Sequence, residues 1–187
     1  TSGLQPGDDL LLTKGLAIEA TAIIAREKSD DLRRRGWSQP DLDRCAGYLT
    51  DPGISVVTDA RLALAAGDVH ALHDPTEGGV ATGLLEMATA SGVGLEVFAD
   101  RLPASDDSQR VCAAFDIDPF GVISSGALLI GCPAASTESI ISRLDDAGIS
   151  CCPIGRAHLE DFGQRLLQAD GTFDLPRFEV DEIARLF

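Results

Sequence analysis

A short polar stretch, residues 73–80, carries the residue types best suited to chemistry in this chain. It places an imidazole, two carboxylates and a hydroxyl beside a glycine pair: His73, Asp74, Thr76, Glu77, Gly78 and Gly79. A strand that feeds a helix through a glycine turn presents unpaired backbone N–H groups and the positive end of the helix dipole. Glycine leaves that backbone open to a ligand. The stretch therefore predicts a binding site for a negatively charged oxygen, such as that of a phosphate.

The flanking residues predict the elements that would position this stretch. Residues 69–72 are mostly apolar and fit a short buried strand, and the apolar residues of 80–88 recur at helical spacing. Asp74 and Thr76 are candidate helix caps, Glu77 would lie in the first turn, and Gly92 would end the helix. The alternative is a structural turn without a ligand, because neither a P-loop nor a Rossmann glycine pattern is present.

A second strand–turn–helix unit opens the chain. Residues 10–13 predict a strand, Lys14 and Gly15 a turn, and the residues from Leu16 onwards a helix. Lys14 could neutralise an anion at the mouth of this turn. The alternative is a solvated lysine at the end of a strand.

The rest of the chain continues to interleave strands and helices. Strands are predicted at 93–99, 122–130 and 149–157, with a hairpin whose turn is Asp170–Gly171. Helices are predicted at 41–50, 54–66, 105–115, 137–147 and 180–187. This order indicates an α+β fold, layered as in α/β proteins, with a mixed β-sheet and helices packed on one or both faces.

Composition limits the classes of function. With 187 residues, one domain is the natural expectation. The net charge of −15 argues against nucleic acid and against an anionic membrane as general partners. An odd number of cysteines without a Cys-x-x-Cys motif predicts reduced thiols in a cytoplasmic protein. No metal site is expected, because His70 and His73 would point to opposite faces of a strand.

Four stretches together resemble the C-terminal domain of the aminoimidazole ribonucleotide (AIR) synthase superfamily, and its hydrogenase maturation (HypE) branch most closely. They are residues 73–97, which include the glycine turn, residues 7–14, residues 124–130, and residues 148–156. The resemblance implies the fold of that domain, partly ferredoxin-like in topology, over residues 1–187. It also implies an N-terminal ATP-binding domain of the same polypeptide, outside this chain.

The resemblance further implies an ATP-dependent enzyme that activates an amide or carbonyl oxygen by phosphorylation. The N-terminal domain would supply most contacts to ATP and Mg²⁺ and the core of a homodimer, so this domain alone would be inactive. This domain would close the cleft and contact a phosphate-bearing small molecule. The candidate contacts are Thr76, Glu77, Gly78, Gly79, Lys14, Gly15, Ser125 and Gly126, with Asp74 and His73 as catalytic candidates. The alternative is a non-catalytic ligand-binding or dimerisation module of the same fold.

Three features depart from the hydrogenase maturation branch. Glu77 stands where that branch often has a basic residue, and Ser125 where it often has an acid. Ser125–Gly126 resembles the selenophosphate synthetase version of this strand instead. The chain ends in Ala184–Arg185–Leu186–Phe187, whereas that branch ends in a cysteine that holds the reacting carbamoyl group.

Overall fold

Seven strands form one mixed sheet in the computed structural model, which describes residues 1–187. The strands are β1 (Asp8–Thr13), β2 (Ala71–His73), β3 (Gly94–Phe98), β4 (Leu129–Pro133), β5 (Cys151–His158), β6 (Gln164–Gln168) and β7 (Gly171–Asp174). Their order in the sheet is β2-β4-β1-β5-β3-β6-β7. All neighbours run antiparallel except β3 and β6, which run parallel.

Seven α-helices alternate with these strands. They are α1 (Ile18–Glu27), α2 (Ser29–Arg34), α3 (Gln39–Ala46), α4 (Val57–Ala66), α5 (Gly79–Ser91), α6 (Asp106–Phe115) and α7 (Ala134–Asp145). Short 3₁₀ segments lie at Gly47–Leu49, Ala99–Arg101, Glu160–Phe162 and Glu182–Leu186. None of the helices is long and apolar enough to span a membrane.

Strand β1 lies between two apolar clusters because its residues alternate in direction. Leu10 and Leu12 point into the larger cluster, to which α1, α3, α5 and α6 contribute. Leu11 points to the opposite face, into a smaller cluster with residues of α4 and α7. Helices therefore cover the sheet on both faces, and the α+β fold predicted from the sequence is confirmed.

Several local signals act as the sequence predicts. The Ser105 side chain caps α6 by accepting a hydrogen bond from the Ser108 N–H, and Gly92 ends α5 with φ +65°. The hairpin predicted around Asp170–Gly171 forms β6 and β7. Each of these signals is a side chain or backbone preference that acts within a few residues.

Other elements differ from the predicted ones. The strand predicted at 122–130 begins only at Leu129, because Ser124 and Gly126 (φ +107°) turn the preceding residues into a loop. Helix α5 begins at Gly79 with Gly78 as its N-cap and without a side-chain cap. The predicted capping by Asp74 or Thr76 and the placement of Glu77 in the first turn are therefore wrong. The helix predicted at 180–187 is a 3₁₀ segment.

Candidate functional site

The glycine turn between β2 and α5 depends on the conformations of both of its glycines. Gly78 has φ +75° and Gly79 has φ +66°, in the left-handed region that other residues rarely adopt. A Cβ on Gly79 would lie 2.5 Å from the Phe120 carbonyl oxygen and 2.7 Å from that of Val122. A Cβ on Gly78 would overlap the Thr82 hydroxyl. The pair therefore lets the start of α5 pack closely against the loop at residues 120–122.

Most amides of this turn already have partners within the chain. The Gly78 N–H donates to Asp181 Oδ2 at 2.7 Å, and Asp181 lies in the 3D structure beside the turn although it is 103 residues away. The Gly79 N–H donates to the Thr76 carbonyl at 3.0 Å, and the Ala81 N–H to the Phe120 carbonyl at 3.1 Å. The carboxylate at Gly78 agrees with the preference of a helix N-terminus for negative oxygen. The assignment of this amide to a ligand stays a prediction.

The polar side chains of the turn lie at its rim. Asp74, Thr76 and Glu77 are exposed, whereas His73 is mostly buried at the end of β2. His73 Nε2 lies 2.8 Å from Glu86 Oε2, and His73 Nδ1 lies 3.0 Å from the Thr1 hydroxyl. The contact with Glu86 on α5 fixes the orientation of the imidazole. His73 and Glu86 thus lie within hydrogen-bond distance of each other beside the glycine turn.

Lys14 lies in a different environment from the one the sequence suggested. Its ammonium lies 3.2 Å from Asp59 Oδ1 and donates to the Ser55 carbonyl at 2.8 Å. The two side chains are only 7% and 1% exposed, so Lys14 is neither a solvated lysine nor an unpaired cation. Gly15 lies under the backbone of Pro103, whose oxygen would be 2.7 Å from a Cβ. Both residues therefore have structural partners already.

Ser124 connects the two glycine turns, and no local sequence signal marks it. Its hydroxyl accepts a hydrogen bond from the Ala17 N–H at 3.0 Å and donates to the Val122 carbonyl at 2.9 Å. Its own N–H donates to the Thr76 carbonyl at 3.4 Å. Ser124 is fully buried, and the neighbouring Ser125 is partly exposed. The loop at 122–126 thus joins the turn after β1 to the turn before α5.

Gly126 explains why this loop packs so closely against the first turn of the chain. A Cβ at Gly126 would lie 2.9 Å from the Gly53 carbonyl oxygen and 3.2 Å from the Ile18 side chain. The predicted contacts therefore fall into separate groups. Thr76, Glu77, Gly78 and Gly79 share one turn. Lys14 and Gly126 pack against the segment at 53–55, whereas Gly15 packs against Pro103.

Two open cavities flank the glycine turn. One, of about 820 Å³, is lined by His73, Glu86 and Phe178. The other, of about 630 Å³, is lined by Thr76, Gly78 and Asp181. Both are bounded on one side by α5 and on the other by the C-terminal residues. The arrangement offers room for a small molecule beside the turn.

The five thiols lie apart from this site and are all free. Burial raises the pKa of each, to about 12 for Cys112 and Cys151 and to about 11 for Cys45. A thiol with a raised pKa is a poor nucleophile near neutral pH. The cysteines are therefore small packing residues.

The fold and the order of its turns correspond to a known class of domain. The family model described as AIR synthase related protein, C-terminal domain, matches residues 5–162, and the chain belongs to this family. Among curated relatives, carbamoyl dehydratase HypE of Azotobacter vinelandii is 31% identical over 140 residues, which are 75% of this chain and 38% of that protein. The chain thus spans well under half the length of this relative.

Solved structures show the same fold. A crystal structure of Escherichia coli HypE, a hydrogenase maturation protein, has a TM-score of 0.75 at 23% identity, covering 98% of this chain and 54% of that one. A structure of hydrogenase maturation protein HypE in complex with ATP has a TM-score of 0.70 at 20% identity, covering 96% and 53%. At these identities the likeness establishes the fold alone.

Proposed function

We propose that this domain is the substrate- and phosphate-binding half of a HypE-like, ATP-dependent enzyme. The enzyme would phosphorylate an amide or carbonyl oxygen, and this domain would close the cleft over the reacting groups. The N-terminal domain of the same polypeptide would hold most of the ATP and the Mg²⁺. Support comes from membership of the family and from the fold shared with HypE in its complex with ATP.

The observation that carries the proposal is the bond between the Gly78 N–H and a carboxylate oxygen. At 2.7 Å it is a short, charge-assisted hydrogen bond at the N-terminus of a 13-residue helix. A phosphate oxygen is a negatively charged acceptor like this carboxylate oxygen, and helix N-termini bind both. In the proposal, a phosphate oxygen would take the position that Asp181 Oδ2 has in this structure.

In the proposal, this domain neutralises the negative charge of the phosphoryl group and positions the reacting groups. An amide oxygen is a poor leaving group, and transfer of a phosphoryl group from ATP to that oxygen lets it depart as phosphate. The relatives named carbamoyl dehydratase suggest a carboxamide as the substrate class. Its oxygen would leave as phosphate, and its two amide protons would be transferred to bases. Preorganised amide donors stabilise the negative charge that develops on the phosphoryl oxygens.

The polar side chains at the rim of the glycine turn would transfer protons. Asp74 is exposed at the mouth of the turn and would serve as a general base, while His73 is oriented by Glu86. No group of three or more His, Cys, Asp or Glu side chains in this domain could hold a metal ion.

The test uses the longer protein that includes the N-terminal domain. Asp74→Ala should lower ATP turnover by about 100-fold, the typical contribution of a positioned proton-transfer group. The melting temperature should not change, because the Asp74 side chain is exposed. Asp170→Ala, in the exposed turn between β6 and β7, is the matched control and should retain full turnover.

Two outcomes would contradict the proposal. Full turnover by the Asp74→Ala variant would remove Asp74 from the site. Failure of the longer wild-type protein to bind or hydrolyse ATP would favour the alternative, a non-catalytic module that kept the fold.

A further inference from the structure

The chain ends in a segment without α-helix or strand that crosses the glycine turn. We call residues 176–187 the C-terminal strap. Its Phe178 ring packs against Gly121, where any Cβ would overlap the ring. Ile183 and Leu186 rest, partly buried, on the larger apolar cluster. The strap therefore follows a defined path over the site and is packed against the domain.

Asp181 is the point at which the strap meets the glycine turn. Its Oδ2 accepts the Gly78 N–H at 2.7 Å, and its Oδ1 accepts the N–H of Ile183 at 2.8 Å. Both carboxylate oxygens are thus in use, one by the turn and one by the strap itself. The carboxylate occupies the place that the proposed function gives to a phosphate oxygen.

The strap is held by few other bonds. The Glu182 N–H donates to the Gly121 carbonyl at 3.2 Å, and Glu182 Oε2 accepts the Asp118 N–H at 3.1 Å. Val180 and Phe187 are both 68% exposed, so much of the apolar surface of the strap is not buried. Because few hydrogen bonds hold the strap, the free-energy cost of opening it comes mainly from uncovering Phe178, Ile183 and Leu186.

The cavities beside the turn share a wall made by the strap. The cavity next to His73 and the cavity next to Gly78 have Thr82, Glu86, Phe178 and Glu179 in common. Movement of Phe178 and Glu179 away from α5 would join the two into one groove that runs from the His73–Glu86 pair to the Gly78 amide. The closed strap thus divides the groove and fills its anion-binding end.

We infer that the C-terminal strap is an internal competitor: the Asp181 carboxylate must leave the Gly78 amide before a phosphate oxygen binds there. The inference rests on the proposed function, because it takes the Gly78 amide as a phosphate contact. Two negative groups cannot share one N–H donor, so binding of the strap and binding of the ligand exclude each other. The apparent affinity for the ligand is then reduced by the fraction of molecules with the strap open.

The first experiment measures ATP binding to the longer protein by calorimetry. Asp181→Ala should tighten ATP binding by about 5-fold or more, within the usual range of coupling between two binding events. The matched control is Asp170→Ala, which removes the same charge at an exposed residue that lines neither cavity and makes no hydrogen bond to the turn. This control should change the affinity by less than about 2-fold, because an exposed charge is screened by solvent.

A second experiment needs no variant. Trypsin can cut the strap after the exposed residues Arg177 and Arg185, and the rate of cutting follows the population with an open strap. Saturating ATP should accelerate cutting at these sites in the wild-type protein, and Asp181→Ala should accelerate it without ATP.

The outcomes separate the two proposals. If ATP binds equally well to the wild type and to Asp181→Ala, or if ATP slows cutting of the strap, the competitor inference is overturned while the proposed function stands. If neither the wild type nor either variant binds ATP, the proposed function is overturned, and the inference with it.

Discussion

At the scale of single residues, the glycine pair shows that one sequence feature can serve two purposes. Gly78 offers its amide to an anion, and Gly79 makes room for the backbone of the loop at 120–122. In the proposed function the Gly78 amide concerns binding, whereas the contact of Gly79 concerns folding. Substitutions at the two positions should therefore have different consequences.

Gly79→Ala should destabilise the domain by at least about 3 kcal/mol, because the new Cβ adds overpacking to an unfavourable positive φ. Gly92 is the matched control: it has φ +65° against +66° at Gly79, but a Cβ added there would meet no atom within 4 Å. Gly92→Ala should cost only about 1–2 kcal/mol. Urea denaturation measures both values, and equal costs would show that the contact with the 120–122 loop contributes nothing.

The sequence predicts the glycine turn but not its internal partner. A glycine pair between an apolar run and a helical pattern is a local signal, visible within about 20 residues. Asp181 lies 103 residues from Gly78, in a segment that the sequence predicts only as a terminal helix, so only the folded chain brings the two together. Ser124 escapes prediction for the same reason, because its partners Ala17 and Thr76 are distant in sequence.

At the scale of elements, the end of β1 is joined to α4 by a buried ion pair. Asp59 of α4 accepts a hydrogen bond from the Thr13 hydroxyl at 2.9 Å and lies 3.2 Å from the Lys14 ammonium. The sequence predicts Lys14 at the mouth of a turn, which is correct for the backbone. It does not show that α4 brings a carboxylate to the same place, since that contact joins residues that are far apart along the chain.

Asp59→Ala should destabilise the domain by about 3–5 kcal/mol, because it leaves the Lys14 ammonium buried without a carboxylate. The double variant Lys14→Met/Asp59→Leu should cost less than the sum of the two single changes, because no buried charge then remains unpaired. Urea denaturation of the double variant and of its two single variants completes a double-mutant cycle. Strictly additive costs would contradict the coupling that the 3.2 Å contact implies.

Helices α3 and α6 are joined by a second ion pair. The Arg44 guanidinium donates to both carboxylate oxygens of Asp107, at 2.6 and 2.8 Å, and these hydrogen bonds lower the pKa of Asp107. The neighbouring Asp41 also bonds Arg44, and hydrogen bonds from Ser38 and Arg44 lower its pKa to about 2. A carboxyl whose pKa is lowered by folding stabilises the fold at pH values above the pKa that it has in the unfolded chain. This stabilisation is lost as the pH falls through the pKa that it has in the folded protein.

Asp107→Asn should therefore lower the free energy of unfolding at pH 7 by about 1 kcal/mol, a modest value because half of the Arg44 side chain is exposed. The difference from the wild type should shrink as the pH falls below about 4, the usual pKa of an unfolded aspartate. Asp106→Asn, at an exposed position in the same first turn of α6, is the control for the helix dipole. A difference that stays constant from pH 7 to pH 3 would contradict the role of the ion pair.

At the scale of the whole molecule, the two halves of the sheet differ in their outer surface. Helices α4 and α7 cover one face around β4 and β1. Towards the other edge, directly opposed residues of five strands form a row of alternating charge: Asp9, Arg156, Glu96, Arg165 and Asp174. Such opposed pairs stabilise neighbouring strands while the surface stays hydrated. These opposed charges help to keep this part of the sheet in register.

The proposed distribution of ATP contacts between the two domains predicts how residues 1–187 behave on their own. Residues 1–187 bury two apolar clusters and should unfold in one cooperative urea transition. The same chain should release no phosphate from ATP, because the proposed function gives most of the ATP and Mg²⁺ contacts to the N-terminal domain. Phosphate release by residues 1–187 is measured against the same chain with Asp74→Ala, which corrects for contaminating hydrolases. Turnover that exceeds this background would place the catalytic centre within this domain and contradict the two-domain proposal.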